Sequence, residues 1–139
     1  MAARGIRTER APAPVDGAPY QQAVAAVPGE VVWISGQVPL DPATGALAAA
    51  DVAGQTRTCL AHVQAIVEAA GGSMDDVVKT TVFMLDLADF AEMNAVYAEA
   101  FSGAPPARAT IGVAALPAAA KVEIEAVAVI GAPASPVTR

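Results

Sequence analysis

Arg108 opens an apolar run, and Glu123 and Glu125 follow within one short segment of a chain otherwise sparing with charge. A guanidinium presents a rigid fork of N–H donors that captures a carboxylate through two parallel bonds. A glutamate can orient a water molecule and relay its proton. Arginine and glutamate together therefore make either a surface ion pair or a small acid-binding, water-activating site, and the pattern alone leaves both open. The residues lie in APPARATIGVAALPAAAKVEIEAVAV, 104–129, which reads as two strands joined by a turn centred near Pro117–Ala119. That reading predicts Glu123 on the antiparallel strand beside Arg108. Lys121, Glu123 and Glu125 then share one face, which turns apolar at Val127 and Val129.

Other chemistries find less support. Cys59 and His62 stand three apart on a helical pattern, but a zinc site needs at least three protein ligands. They read as a packed thiol and a helix-surface histidine, and no metal is expected. His62 is the chain's single histidine and sits mid-helix, which disfavours a Ser-His-Asp or Cys-His nucleophile. No G-x-x-x-x-G-K-[ST] and no G-x-G-x-x-G opening a helix is present. Eight basic against fourteen acidic residues give a net charge of −6, and no basic run offers a nucleic-acid surface. Met84, Met93, Tyr97 and Phe101 read as core packing, and Asp75-Asp76 as a solvated turn. Ser35, Gly36 and Gln37 are small or polar at the end of an apolar strand, where a backbone can approach a ligand closely.

The elements that must position these residues follow from periodicity. The 139 residues suit one domain, 1–139, with a core of Ala, Val, Ile and Leu, since hydrophobic residues make up 55% and aromatics 4%. Residues 1–17 and 132–139 are expected to be loosely ordered ends. YQQAVAAV and EVVWISGQV read as short β runs around the Pro28-Gly29 turn. From Asp51, a cap, the period becomes helical through Val52, Thr56, Cys59, Leu60, Val63, Ile66, Val67 and Ala70, and Gly71-Gly72 stops it. VVKTTVFML, 77–85, is near-continuously apolar and reads as a central strand. DFAEMNAVYAEAFSG reads as a second helix with an Asp89–Glu92 capping box.

The order ββ-α-β-α-ββ is an α+β sheet with two helices, enough to cover one face. The strands around Val31, Val77–Leu85 and Ala126 are apolar on both faces, so a second subunit is the expected cover for the other. One cysteine, the absence of a secretory leader pattern and the lack of an apolar run of bilayer length point to a cytoplasmic chain.

These motifs, in this order, resemble the RidA (YjgF) family of enamine/imine deaminases. PPARATIGVAALPAAAKVEIEAVAV resembles the family signature, and APYQQAV, VWISGQVPLDPATG and GQTRTCLAHVQAIVEAAGGSMDDVVKTTVFMLDLADFAEMNAVY resemble the rest, from about Pro12 to Val129. The resemblance implies a chorismate-mutase-like fold, with a mixed sheet and two helices on one face. It also implies a homotrimer with a central β-barrel and three sites in the clefts between subunits. It implies hydrolysis of 2-imino and enamine acids, such as 2-aminoacrylate, to 2-keto acids and ammonia, with no cofactor; from charge and hydropathy no nucleic-acid or membrane partner is expected. Carried over by position, Arg108 would grip the substrate carboxylate and Glu123 would position the attacking water. Tyr20, Ser35, Gly36, Thr110 and Asn94 would line the cleft. Thr110 stands where many members carry cysteine, and Ala18-Pro19-Tyr20-Gln21-Gln22 replaces a common Gly-Pro-Tyr-Ser-Gln. Two other readings stand beside this one: a non-catalytic trimer that binds a keto acid, and the ribonuclease or translation-inhibitor activity also ascribed to the family.

Overall fold

Asp51 starts the first helix as its sequence predicts: its side chain accepts a hydrogen bond from the Gly54 N–H at 3.2 Å. In the computed structural model, which describes residues 3–131, this helix (α1) spans Val52–Ala69 and Gly71 ends it at φ +95°. Its buried face carries Val52, Gln55, Thr56, Cys59, Leu60, Val63 and Val67. Gln55 and Thr56 are the polar members of that face, and Gln55 is bonded at both ends of its amide. Its amide donates to the Ala49 carbonyl at 3.1 Å and accepts from the Lys121 N–H at 2.7 Å, tying α1 to the chain beyond it.

The second helix (α2) spans Phe90–Glu99. The Asp89–Glu92 capping box is not formed. Asp89 makes no side-chain cap bond, and Glu92 instead accepts from the Ala53 N–H at 3.2 Å, linking the two helices. Asp86 does the initiating work one turn earlier by accepting from the Ala88 N–H at 2.9 Å. Asp76 also differs from expectation. It is buried, and its carboxylate accepts from the Ser73 N–H at 2.9 Å to close a capping box with that serine.

Four strands, β3 (Glu30–Gln37), β4 (Val77–Met84), β5 (Ala107–Gly112) and β6 (Val122–Ile130), form a mixed sheet in the order β3-β6-β4-β5. The run 77–84 is an interior strand, as its apolarity predicts. The pairing of the last two strands is not as predicted. β5 lies parallel to β4 on one side, β6 antiparallel to it on the other, so β4 separates Arg108 from Glu123. The cause is topological: α2 carries the chain back from the end of β4, and such a strand-helix-strand crossover leaves β5 parallel to β4. The segment 113–121 then crosses to the free side of β4, turning through Ala118 and Ala119 at φ 58° and 55°.

A separate antiparallel ribbon pairs β1 (Ala3–Ile6) with β2 (Ala23–Ala26). The sequence reading places no strand before Tyr20, because Ala-Arg-Gly-Ile has neither alternation nor apolar length. Gln22 holds the intervening loop, its amide donating to the carbonyls of Thr8, Ala11 and Pro12 and accepting from the Thr8 N–H. The other end expected to be loose, 132–139, lies outside the described residues.

Both helices lie on one face of the main sheet, over the fully buried Val82, Met84, Val122 and Ile124. The opposite face presents Val31, Trp33, Phe83, Ile111, Val127 and Val129, with Trp33 78% exposed. Val31, Trp33, Val127 and Val129 form one apolar patch on this face, set apart from Phe83 and Ile111 by Thr81, Glu123 and Glu125, and an exposed apolar patch of this kind marks an interaction surface.

Candidate functional site

Arg108 pairs with Thr80 across the β4–β5 ladder, on the helix-covered face. The residue is 9% exposed, and its Nε, Nη1 and Nη2 are all buried with no hydrogen-bond partner among the described residues. Its surroundings are aromatic. The guanidinium carbon lies 4.7 Å from the Tyr97 ring centroid, 5.1 Å from that of Tyr20 and 5.7 Å from that of Phe90. Three rings attract the cation through their π faces, at up to about 2 kcal/mol each when desolvated. None of them satisfies an N–H. The one ion pair among the described residues, Arg57–Glu99, is exposed and does not involve Arg108.

The cage is built by three elements. Phe90, Asn94 and Tyr97 stand at i, i+4 and i+7 on α2 and so share one stripe of that helix. The Tyr97 hydroxyl and the Thr80 hydroxyl are 2.6 Å apart, which fixes the ring against β4, and burial pushes the phenol's pKa up to about 12. Tyr20 comes from the loop before β2, where its hydroxyl accepts from the Val15 N–H at 3.0 Å and Gln21 bridges to β5. Burial also lowers the Arg108 pKa from its ordinary value. Arginine starts so high that the group stays cationic at neutral pH. Two further polar atoms are orphaned here: Thr110 Oγ1, two residues along the same face of β5, and Asn94 Oδ1, both buried without partners. Buried polar groups in proteins are nearly always satisfied. A buried, unpartnered guanidinium describes a place for an anion.

Glu123 does not join this cluster within one chain. It pairs with Phe83, three positions from Thr80 along β4, and therefore projects from the opposite face. Two strand spacings put Arg108 and Glu123 about 10 Å apart across the sheet, and the offset adds about 10 Å along it. Glu123 has its own company. The β3–β6 register breaks between Ile34 and Gln37, so Ser35 and Gly36 form a bulge against β6. A Cβ on Gly36 would overlap the Glu123 carboxylate. Glycine is thus required for that carboxylate to rest on the bulge backbone.

The predicted site residues therefore fall into two groups: Arg108, Tyr20, Asn94 and Thr110 around the cage, and Ser35, Gly36 and Glu123 at the bulge. Sequence reasoning missed Phe90 and assigned Tyr97 to packing alone. Their signal was the spacing of two rings around Asn94 in FAEMNAVY. Cys59 is fully buried, its thiol 3.7 Å from the Val122 carbonyl, and burial, assisted by the Glu123 charge, pushes its pKa up to about 12. His62 is half-buried rather than a surface group, and its Nε2 donates to the Leu40 carbonyl at 2.7 Å. No group of three or more His, Cys, Asp or Glu side chains gathers as a metal site among the described residues. No helix of the described chain is long and apolar enough to cross a membrane.

Comparison with known proteins agrees with this architecture. The family model described as endoribonuclease L-PSP matches residues 8–130. A 2-iminobutanoate/2-iminopropanoate deaminase of Salmonella typhimurium is 52% identical over 128 residues, covering 89% of this chain and 95% of the relative. Among solved structures, the Rid-family protein YyfB of Yersinia pestis superposes with a TM-score of 0.84 at 30% identity, over 94% of this chain and all of that one. Escherichia coli TdcF, solved with bound serine, is 44% identical with a TM-score of 0.70, over 92% and 99% of the two chains. With its fold, its motif order and its relatives in agreement, the chain belongs to the RidA (YjgF) family.

Proposed function

We propose that the protein hydrolyses 2-imino acids and their enamine tautomers, such as 2-aminoacrylate, to 2-oxo acids and ammonia. The observation that carries this reading is the buried Arg108 guanidinium, held by three rings and bonded to nothing. A carboxylate is the partner its fork fits. The deaminase name of a 52% identical relative and the serine bound by TdcF, an α-substituted acid, point the same way.

The chemistry asks for little beyond the carboxylate anchor and a placed water. Arg108 fixes the acid, which holds the C=N carbon in one position. Glu123 accepts a proton from water as its oxygen bonds to that carbon, and passes that proton to the nitrogen as C=N becomes C–N. The carbinolamine then collapses: its hydroxyl proton passes through Glu123 to the nitrogen, C–N breaks, ammonia leaves and C=O forms. No cofactor enters this sequence.

Since Arg108 and Glu123 face opposite ways in one chain, the working site takes Arg108 from one copy and Glu123 from the next. A homotrimer whose sheets close on their apolar faces into a central barrel meets that need and covers Trp33 and Val31. Cytoplasmic imine clearance is the matching setting. The acidic net charge of −6 sets the ribonuclease reading aside. The test is ammonia release from imino acids generated in place by an amino-acid oxidase or a serine/threonine dehydratase. Wild type is expected to accelerate it, and Arg108→Ala to lose kcat/KM by the 2–5 kcal/mol typical of a buried charged contact. Wild-type rates no higher than buffer would leave a binding protein instead.

A further inference from the structure

We infer that Thr80 is a positioning residue for the acid anchor: its hydroxyl tethers the Tyr97 ring beside the Arg108 guanidinium and so fixes where a substrate carboxylate is received. This deepens the reading above and rests on it, since Arg108 must be the group that receives the acid. Thr80 interrupts an apolar row. Along the helix-covered face of β4 it precedes Val82 and Met84, and all three are buried. Its partner on β6 is Ala126, and its partner on β5 is Arg108 itself. A valine would suit this row and bring no polar atom to satisfy. The hydroxyl that stands there instead has one partner among the described residues, the Tyr97 hydroxyl at 2.6 Å.

Tyr97 is the ring nearest the cation. Its centroid lies 4.7 Å from the guanidinium carbon, against 5.1 Å for Tyr20 and 5.7 Å for Phe90. It also packs on Phe101, the two centroids 5.0 Å apart. Apolar packing is non-directional, whereas a bond between two hydroxyls ties the end of the ring to one point on β4. That point is the register partner of Arg108. Tether and anchor therefore start from neighbouring positions on one ladder.

The arginine needs such a reference because its own nitrogens hold nothing: Nε, Nη1 and Nη2 have no hydrogen-bond partner among the described residues. The rings locate the fork, and their attraction weakens as they move off the cation. A binding group is effective only when its supports hold it to within about 0.5 Å. Thr80 acts on the substrate through Tyr97 and Arg108 alone. Arg108 holds the carboxylate in the ground state and the transition state alike, so loosening it raises KM and spares kcat.

Separating position from stability tests this. Propionate dissociation constants, Tm, and KM and kcat for imines generated in place are measured on wild type, Thr80→Ser, Thr80→Val and the double variant Thr80→Val with Tyr97→Phe. Thr80→Val strands the Tyr97 hydroxyl and lowers Tm, and the double variant removes both hydroxyls and recovers most of that loss. Binding should follow a different order. Thr80→Val and the double variant are both expected to weaken propionate and raise KM by about five- to tenfold, with kcat within about twofold of wild type. Thr80→Ser keeps the hydroxyl and should bind as wild type does. Propionate affinity that returns with Tm in the double variant makes Thr80 a structural residue and overturns the inference. So does wild-type affinity in Thr80→Val, or a Thr80→Ser as weak as Thr80→Val. These results leave the arginine reading standing. That reading fails, and this inference with it, if wild type binds no propionate or Arg108→Ala binds it equally well. Should Thr80→Val not fold, the double variant decides alone: wild-type affinity overturns the tether, and weakened binding at a Tm near wild type supports it.

Discussion

Two variants that are each inactive should restore one another if the site is split between copies. Arg108 and Glu123 stand on opposite faces of one sheet, with β4 between their strands. Arg108→Ala removes the carboxylate anchor and spares Glu123; Glu123→Gln removes the proton acceptor and spares Arg108. In a ring built from heterologous contacts, each junction joins the arginine side of one copy to the glutamate side of the next. Random mixing of equal amounts makes about a quarter of the junctions intact on both sides, since each side is wild type half the time. Loss of a general base lowers kcat by about 10²–10⁴. Isolated mixed trimers, 2:1 or 1:2, each hold one intact junction in three, so the expected activity of about a third of wild type stands at least an order of magnitude above either parent. The variants carry different tags, are co-expressed or refolded together, and mixed oligomers are isolated by tandem affinity before ammonia release is measured per chain. Mixed oligomers no more active than the mean of their parents would refute the split site. So would a monomer, shown by light scattering, that turns imines over at full rate.

Arg108→Met should abolish imine turnover yet stabilise the fold, because it removes a buried cation without a counter-ion. A gain of about 1–3 kcal/mol over 139 residues corresponds to roughly 3–10 °C in Tm, and a clear drop would mean that the arginine has a structural partner. Glu125 pairs with Thr81 on the same face as Glu123 and stands opposite the bulge by register, but the carboxylate that lies against Gly36 is that of Glu123, so Glu125→Gln should alter assembly more than kcat. A larger rate loss there than at Glu123→Gln would move the catalytic assignment. Burial holds the protons of Cys59 and Tyr97 to about pH 12, whereas the unfolded chain releases them from about pH 9–10. Stability from these groups is therefore full below pH 9 and lost as pH rises toward 12, which urea midpoints between pH 8 and 11.5 should show and a flat profile would contradict.

Much of this molecule was legible in its sequence, and the misreadings share a cause. Helix α1 announced itself through its apolar period, its Asp51 cap and its glycine stop, all local signals. β4 did so through unbroken apolarity, which reports burial on both faces. The neighbours of β4 were not legible, because strand order is decided by the crossover through α2 and not by adjacency in sequence. The tight Pro-Ala turn expected at 117–119 is a crossing segment, and so Arg108 and Glu123 were placed on adjacent strands when they are two apart. Asp89 and Glu92 matched a capping box by spacing, yet Glu92 was recruited by α1 across 39 residues, a contact no local pattern encodes. Tyr97 was read as core and is core. That it also faces a cation could be seen only once β5 was known to lie beneath α2.

How Arg108 is held explains why it remains available. A carboxylate from the chain itself would stabilise a buried guanidinium, but it would take up the same N–H fork that the proposed reaction offers to the substrate. Aromatic rings engage the cation through its π-attracting surroundings and form no bond with its N–H groups. Phe90, Tyr97 and Tyr20 therefore fix the position of the charge while leaving all three nitrogens unspent. Desolvation without compensation costs stability, which the core beneath α1 and α2 must offset. The arrangement makes sense only if an anion completes it. A purely structural arginine here would be better replaced by methionine, and a surface ion pair would not be buried at all. The same economy places Glu123 elsewhere. Within reach of Arg108, it would close the fork on itself; on the far face, resting against Gly36, it leaves the two charges apart within one copy, as the proposed split site requires.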